Sequence, residues 1–520
     1  MRRRDLSKAL LATATASGAS AFVPRTAAAV TCPTSFFAQT PAEQSAGVTP
    51  TCTSYPPGDV RRYGAACDGS TNDSASINQA LTCNPAVWIT GTSVATGISL
   101  ATDGQCLYGV GRGSGIITLS STTTTPCITL SGNRQIVQNL VMNGGSTPND
   151  SNTSFVAIRV TGTRALIEGV TIFGDWCYGI DMQGALYSTI DKCNIEGFRK
   201  RAVNFNSGGD NRLLNSMIFD ASLAAPTDAH VYLSNTPSVV IRGNLITRSS
   251  SSAGPAILAT ANPSLYNNTG LTIVENTIDN GQNWGINVNG YWDVHIRENW
   301  LAWGQSSSGT GQILVQNVDK LYLQDNDIYG ALTTTSIGVS VITCSFGEIT
   351  GNTIEYCNTG CQLQASNYIL VHHNIVGQLT GLPPTGTPLQ TGFQGVSLPF
   401  NNWCMFWDNE VFQAVVANYG SGIDVRNIRD FNIFQANSSE GLAPIADNQY
   451  TLGTGSFRWS SVSALSYGLG PATWLSSGTG SPNGAVGGSP GSLYVDLSGG
   501  ANNTLWVKES GTGSTGWVAK

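Results

Sequence analysis

The sequence predicts an all-β solenoid of short parallel strands, and three observations carry that expectation. A motif of the form apolar-x-apolar-x-x-Asn-x-apolar recurs roughly every 21 to 35 residues through the middle of the chain. Within each copy the apolar residues alternate with the period of two that belongs to strands. Only 11% of the 520 residues are charged, and 60 are glycine, a balance that disfavours a helical protein. Repetition at this spacing means units that bury their apolar sides only against their neighbours.

In chain order, the first element is a basic start, Met1-Arg2-Arg3-Arg4-Asp5-Leu6-Ser7-Lys8. A weakly apolar stretch to Phe22 and a small-residue cleavage site at Ala27-Ala28-Ala29 follow it. Residues 1–29 look like an export signal of the twin-arginine kind. Residues 30–57 are rich in Pro, Thr and Cys and form a leader segment. The repeat body runs over 58–440, and residues 441–520 lose the Asn motif and become rich in Gly and Ser. After the signal no segment has the roughly 18 unbroken apolar residues of a membrane span.

Successive copies of the motif are centred on Asn276, Asn299, Asn326 and Asn352, with looser copies at Asn194, Asn215, Asn244, Asn374 and Asn409. Each reads as two strands joined at a sharp bend. Asn suits that bend because it tolerates left-handed dihedrals, and stacked coils then align the residues into an Asn ladder. A third strand lies between ladder segments. Its examples include Gly179–Gln183, Ala202–Asn206, His230–Ser234, Pro255–Thr260 and Gly285–Asn289. Inward alternation of Ile180/Met182, Val203/Phe205, Val231/Leu233 and Ile286/Val288 leaves Asp181, Asn204, Tyr232 and Asn287 outward in one column. Three strands per coil give a triangular cross-section.

The segment from Gly58-Asp59-Val60-Arg61-Arg62-Tyr63-Gly64-Ala65 through Asp68-Gly69, Asp73 and Ala75-Ser76-Ile77 to Leu81 resembles the opening motif of the pectate-lyase-like superfamily, related to glycoside hydrolase family 28. The resemblance implies a right-handed parallel β-helix with a short strand, a turn and a capping helix. Asp73 or Ser74 would cap that helix, and Ile77 and Leu81, one turn apart, would cover the open end of the first coil. Near the other end, Asp447-Asn448-Gln449-Tyr450-Thr451-Leu452-Gly453 with Phe457-Arg458-Trp459 resembles a repeat of phage tail fibres. Residues from Gly491 to Trp517 similarly resemble a closing β module of tailspikes. The resemblance therefore implies a tailspike-like protein that assembles as a homotrimer. It also implies a polysaccharide or surface glycan lying along the outward column.

The residues themselves narrow the chemistry. Net charge is −7 without acidic blocks, and after the basic start cationic residues cluster only at Arg199-Lys200-Arg201, so nucleic acid is not an expected partner. Asp181, Asp228 and His230 are the candidates for proton transfer, His230 being expected to project to the same side as Asp228, close to Tyr232. Arg201, Asn204, Tyr232, Trp284 and Asn287 are the substrate-binding candidates, Arg201 for an acidic sugar's carboxylate. Trp284, with Tyr291 and Trp292, would stack on sugar faces. A rival column, Glu275, Glu298 and Asp325, precedes ladder asparagines on consecutive coils, where solvated bends also want polar residues. Asp293, His295 and Arg297 alternate outward on one strand and offer a relay or an exposed charge pair. Twelve cysteines are compatible with disulfides in an oxidising compartment, while Cys177, Cys193 and Cys361 fit equally as buried thiols between coils. Cys357 and Cys361 lack the second pair or nearby histidines of a zinc site, since His372 and His373 follow at the wrong distance. No cofactor or metal is called for.

Together these features point to a secreted polysaccharide-degrading hydrolase or lyase. A non-catalytic glycan-binding or adhesive spike is the alternative and a structural appendage the third reading.

Overall fold

The computed structural model describes residues 36–520 except 112–113, 118–123, 146–150, 220–227, 249–253, 263–268, 280–282, 303–310, 331–335, 378–389, 396–403, 413, 418–422, 427–428, 431–433, 436–465 and 471–472. The expected export signal and the tail-fibre-like stretch at 447–459 lie outside these residues. The chain divides into two compact units, 1–441 and 442–520.

The first unit is a solenoid of three parallel sheets, one strand of each sheet per coil. Among the described residues the first sheet has fourteen strands, from Ile98–Leu100 to Phe434–Gln435, and the second has fourteen, from Ala86–Ile89 to Ile423–Arg426. The third has fifteen, from Asp68–Asn72 to Arg429–Asp430. Inside runs a continuous core of Ile, Val and Leu stacked coil on coil, for example Ile190, Leu213, Ile241, Ile273, Ile296 and Leu323 on the second sheet. The second unit contains a small five-stranded mixed sheet, Ser466–Gly470 to Trp517–Ala519. Among the described residues no helix is long and apolar enough to cross a membrane.

The Asn ladder exists, and its register refines the expectation. Asn244, Asn276, Asn299, Asn326, Asn352, Asn374 and Asn409 are buried, and each of the first six donates from Nδ2 to Oδ1 of the next at 2.8–3.0 Å. The left-handed residue is not the ladder Asn but the one before it: Glu275, Glu298, Asp325, His373 and Asp408 all have φ between 48° and 57°. Asn194 and Asn215 fall one place out of step. In their coils Cys193 and Ser216 hold the ladder position, Cys193 N donating to Ser216 Oγ and Ser216 N to Asn244 Oδ1.

At the N-terminal end the expected short strand of the opening motif is instead a 3₁₀ turn, Val60–Tyr63. Asp59 caps it by accepting from Arg61 N, and Gly64 closes it at φ 94°. The expected capping helix is Ser74–Cys83, with Ile77 and Leu81 buried at the end of the core. Asp73 is its N-cap, its backbone carbonyl accepting from Ile77 N, but its side chain makes no capping bond; the carboxylate accepts from Ala66 N and Cys67 N and so ties down the preceding loop. The segment before the body is clamped on by one buried carboxylate. Glu43, in the short helix Pro41–Ser45, accepts from Arg62 Nε at 2.6 Å, Arg62 Nη2 at 2.9 Å and Tyr63 Oη at 2.7 Å.

Candidate functional site

Cross-strand register on the first sheet places Arg159, Asp181, Asn204, Tyr232, Leu258, Asn287 and Leu314 at one position on seven consecutive coils. The outward column is therefore real, but Leu258 separates Tyr232 from Asn287. Only the first part forms a polar network. Arg159 Nε donates to Asp181 Oδ2 at 2.9 Å, and Asn204 Nδ2 donates to Asp181 Oδ1 at 2.7 Å. Arg201 Nη1 donates to Asn204 Oδ1 at 2.6 Å, and Arg201 Nε and Nη2 reach Asp228 Oδ2 at 2.8 and 2.7 Å. The Arg201 guanidinium lies 3.6 Å from the Tyr232 ring centroid and 5.6 Å from that of Tyr178. Tyr232 Oη meets Thr260 Oγ1 at 3.2 Å. Burial pushes the Tyr178 hydroxyl above its ordinary pKa, the Arg201 charge working in the opposite direction.

The network has consequences for the expected roles. Arg201 has Nε, Nη1 and Nη2 each engaged by its neighbours, so it is not positioned as an open claw for a substrate carboxylate. Asp181 and Asp228 do not face each other, because the Asn204 amide and the Arg201 guanidinium stand between them. Their exposures also differ: the side chain of Asp228 is 26% exposed and that of Asp181 only 4%.

His230 departs from its expected direction. It is fully buried, its ring edge-on to Phe198 with centroids 5.0 Å apart. The reason is a break in alternation where each strand of this sheet begins. The residue two places before the outward column is Ala157, Gly179, Ala202, His230, Ala256 and Gly285 on successive coils, all buried. A Cβ on Gly179 would meet core atom Ile195 Cγ2 at 2.9 Å, and one on Gly285 would meet Leu301 Cδ2 at 2.9 Å. The position points into the coil, and His230 fills it where other coils place almost nothing.

Trp284 is half-buried on the coil of Asn287 and lies where a Cβ on Gly311 of the next coil would stand. It sits beyond Leu258 and outside the network. Tyr291 is buried and donates to Thr236 O at 3.2 Å, so it offers no sugar-stacking face. Arg159 and Tyr178 are the members that sequence reading missed. Arg159 was findable from the alternation Val156-Ala157-Ile158-Arg159-Val160, one coil before Asp181.

The rival column is exposed throughout: Glu275, Glu298 and Asp325 occupy left-handed bends at the surface. On the second sheet, His295 stacks on Tyr322 with centroids 4.7 Å apart and pairs with Asp293 at 3.3 Å. Cys177, Cys193 and Cys361 are buried free thiols; Cys52 is disulfide-bonded. Among the described residues no three His, Cys, Asp or Glu side chains converge as a ligand set.

Residues 112–301 match the family described as right handed beta helix region. No curated protein matches the chain. Among solved structures it is similar to the A-module of a mannuronan C-5 epimerase of Azotobacter vinelandii, at 15% identity and TM-score 0.45, covering 73% of this chain and 99% of that one. The Dettilon tailspike protein is similar at 18% identity and TM-score 0.45, covering 70% and 67%. A surface adhesin of Streptococcus pneumoniae is similar at 15% and 0.45, covering 73% and 90%. At these identities the likeness is one of winding alone.

Proposed function

We propose that this right-handed parallel β-helix protein binds a polysaccharide along the outward face of its first sheet. The observation that carries the reading is the continuous polar network Arg159, Asp181, Asn204, Arg201, Asp228 and Tyr232 over four consecutive coils. It presents donors and acceptors beside aromatic rings, the mixture that sugar hydroxyls and sugar faces require. Two guanidiniums set against two carboxylates leave the network neutral, which favours a neutral glycan over a uronate polymer. The twin-arginine-like residues Arg2 to Lys8 support export to where such a glycan is met, and the tailspike-like C-terminal residues support a homotrimer.

One observation favours a second reading, a polysaccharide-degrading hydrolase or lyase. Asp228 is the carboxylate of the network open to solvent, and its Oδ1 is engaged by the neighbouring Ala229 N–H at 2.8 Å. Asp228 is then the acid/base group a bound chain would reach first.

The test is a panel of neutral and acidic bacterial and plant polysaccharides offered to the purified protein, with binding, reducing ends and the absorbance of unsaturated uronates followed together. Binding that Tyr232→Ala weakens about tenfold, without product, supports the glycan binder. Reducing ends that disappear in Asp228→Asn support a hydrolase, and the added absorbance a lyase. Binding to none of the panel sinks both readings.

A further inference from the structure

The C-terminal unit, 442–520, covers one face of its sheet with its own chain and leaves the other face open. Along the strands Thr473–Gly478, Leu493–Asp496, Leu505–Lys508 and Trp517–Ala519 side chains alternate between the two faces. The covered face carries Tyr494, Asp496, Lys508 and Trp517, all buried. The segment between Gly478 and Leu493 folds over it: Trp517 Nε1 donates to Val486 O at 2.8 Å, and Asn483 bonds the backbone of Trp517 at 2.7 and 3.0 Å. The open face is aliphatic. Cross-strand register sets Leu475, Leu493, Val507 and Val518 side by side in one row and Val495 beside Leu505 in the next. None of the six is buried, and Leu505 and Val518 are 39% and 38% exposed. Glu509 and Lys520, in step with these rows, pair with one another at 2.5 Å.

This leaves the unit short of a core. Among its described residues the buried hydrophobic side chains are Tyr494 and Trp517, whereas the solenoid has a continuous core of Ile, Val and Leu. Small units that bury so little are held by disulfides, by a structural metal or by association. Residues 442–520 contain no cysteine and no histidine, which leaves association. The six side chains also select the partner's chemistry. They offer no ring or hydrogen-bonding group to a sugar and no charge to an ionic ligand, and an aliphatic centre with charges at its margin is the anatomy of a protein interface. The need for a core exists from the moment of folding, when the protein always at hand is another copy of the chain. That copy brings the same rows, and its Glu509 and Lys520 form a self-complementary pair of opposite sign.

We infer that the open face formed by Leu475, Leu493, Val495, Leu505, Val507 and Val518 packs against the same face of other copies of this chain, so that C-terminal sheets from separate chains share one core. This assignment rests on the homotrimer reading, to which it gives a face, and is independent of the glycan reading. Sheets pack about 10 Å apart face to face, a separation that interdigitating Leu and Val side chains fill. Three such sheets around a threefold axis enclose their rows together. Side chains exposed on the single chain are then buried only in the assembly, so a charge introduced among them acts on association and not on the fold of one unit.

The test is the mass of tag-free full-length protein in solution, by size-exclusion chromatography with light scattering, for the native chain, Val507→Lys, Val518→Lys and the control Ala485→Lys. Ala485 is exposed on the segment that folds over the covered face. The expected result is a native mass of three chains, unchanged by high salt and in Ala485→Lys, and a threefold fall to the mass of one chain in both row variants. Val518 lies on the edge strand and is already 38% exposed, so a lysine there leaves the single unit folded, which far-ultraviolet circular dichroism checks. A three-chain mass undiminished in Val507→Lys and Val518→Lys overturns the inference and leaves the homotrimer reading standing. A single-chain mass for the native protein overturns both.

Discussion

Arg201 and Tyr232, from neighbouring coils, are in contact, the guanidinium carbon lying over the ring 3.6 Å from its centroid while the same guanidinium holds Asp228 and Asn204. This is the junction of the candidate face. Tyr232→Phe keeps the ring and should retain glycan binding. Tyr232→Ala removes it and should weaken binding about tenfold, at a stability cost of about 1 kcal/mol. Affinity electrophoresis and urea unfolding on the two variants separate these effects.

Asn326→Ala tests the ladder. The buried side chain donates to Ile296 O, Gln324 O and Asn352 Oδ1, and accepts from the backbone and side-chain N–H of Asn299. Removing it leaves several groups without partners, and the expected loss is about 3 kcal/mol or more. Hydrogen exchange should show the opening centred on the coils of Asn299 and Asn352, as befits a one-dimensional fold.

The bend residues predict the opposite sign. Glu298 is exposed and sits at φ 56°, a conformation in which a Cβ is strained and glycine is at ease. Glu298→Gly should be neutral or stabilising, by up to about 1 kcal/mol. A clear loss of unfolding temperature would show that the carboxylate does more than fill a solvated bend.

Stability should fall with acid through Glu43. Its hydrogen bonds with Arg62, assisted by Thr40 and Tyr63, hold its carboxyl down to about 2. A carboxyl lowered in the folded state contributes fully above its unfolded pKa of about 4.3, and progressively less as pH falls from there through about 2. Glu43→Gln should remove this acid dependence and cost about 3 kcal/mol at neutral pH by leaving the Arg62 charge buried without its counter-ion. Unfolding free energy measured from pH 7 to 2 checks both.

Thiol reactivity should split by burial. Cys127, Cys193, Cys344, Cys357 and Cys361 are pushed up to about 12 by burial, so they carry almost no thiolate at pH 8. Alkylation of the native protein followed by mass spectrometry should leave these five unmodified. Cys67 and Cys106, partly exposed, should be labelled first.

The winding was legible because burial on one side of every strand writes its period into the sequence. The alternation around Ile180, Val203 and Val231 placed Asp181, Asn204 and Tyr232 at one register position. What could not be read was where alternation stops. His230 obeys the period of two on paper, yet it lies where the chain has just turned a corner and that parity faces the core. The same corner logic moved the left-handed residue one place before the ladder Asn, because the amide needed inside cannot also sit on the outer side of the bend. Partner choice was equally hidden. Arg201 looked available for a ligand until Asp228, 27 residues away, came to its guanidinium.

The buried amide row also has a direction. From Asn244 to Asn374 every side-chain amide donates to a backbone carbonyl of the coil before it and to the ladder Asn of the coil that follows, and no Asn donates back to the ladder Asn before it. A finished coil therefore presents hydrogen-bond donors on its C-terminal side, waiting for the oxygen of an asparagine not yet in place. A chain emerging from the ribosome meets this requirement in the order in which it is made, each new coil completing the last.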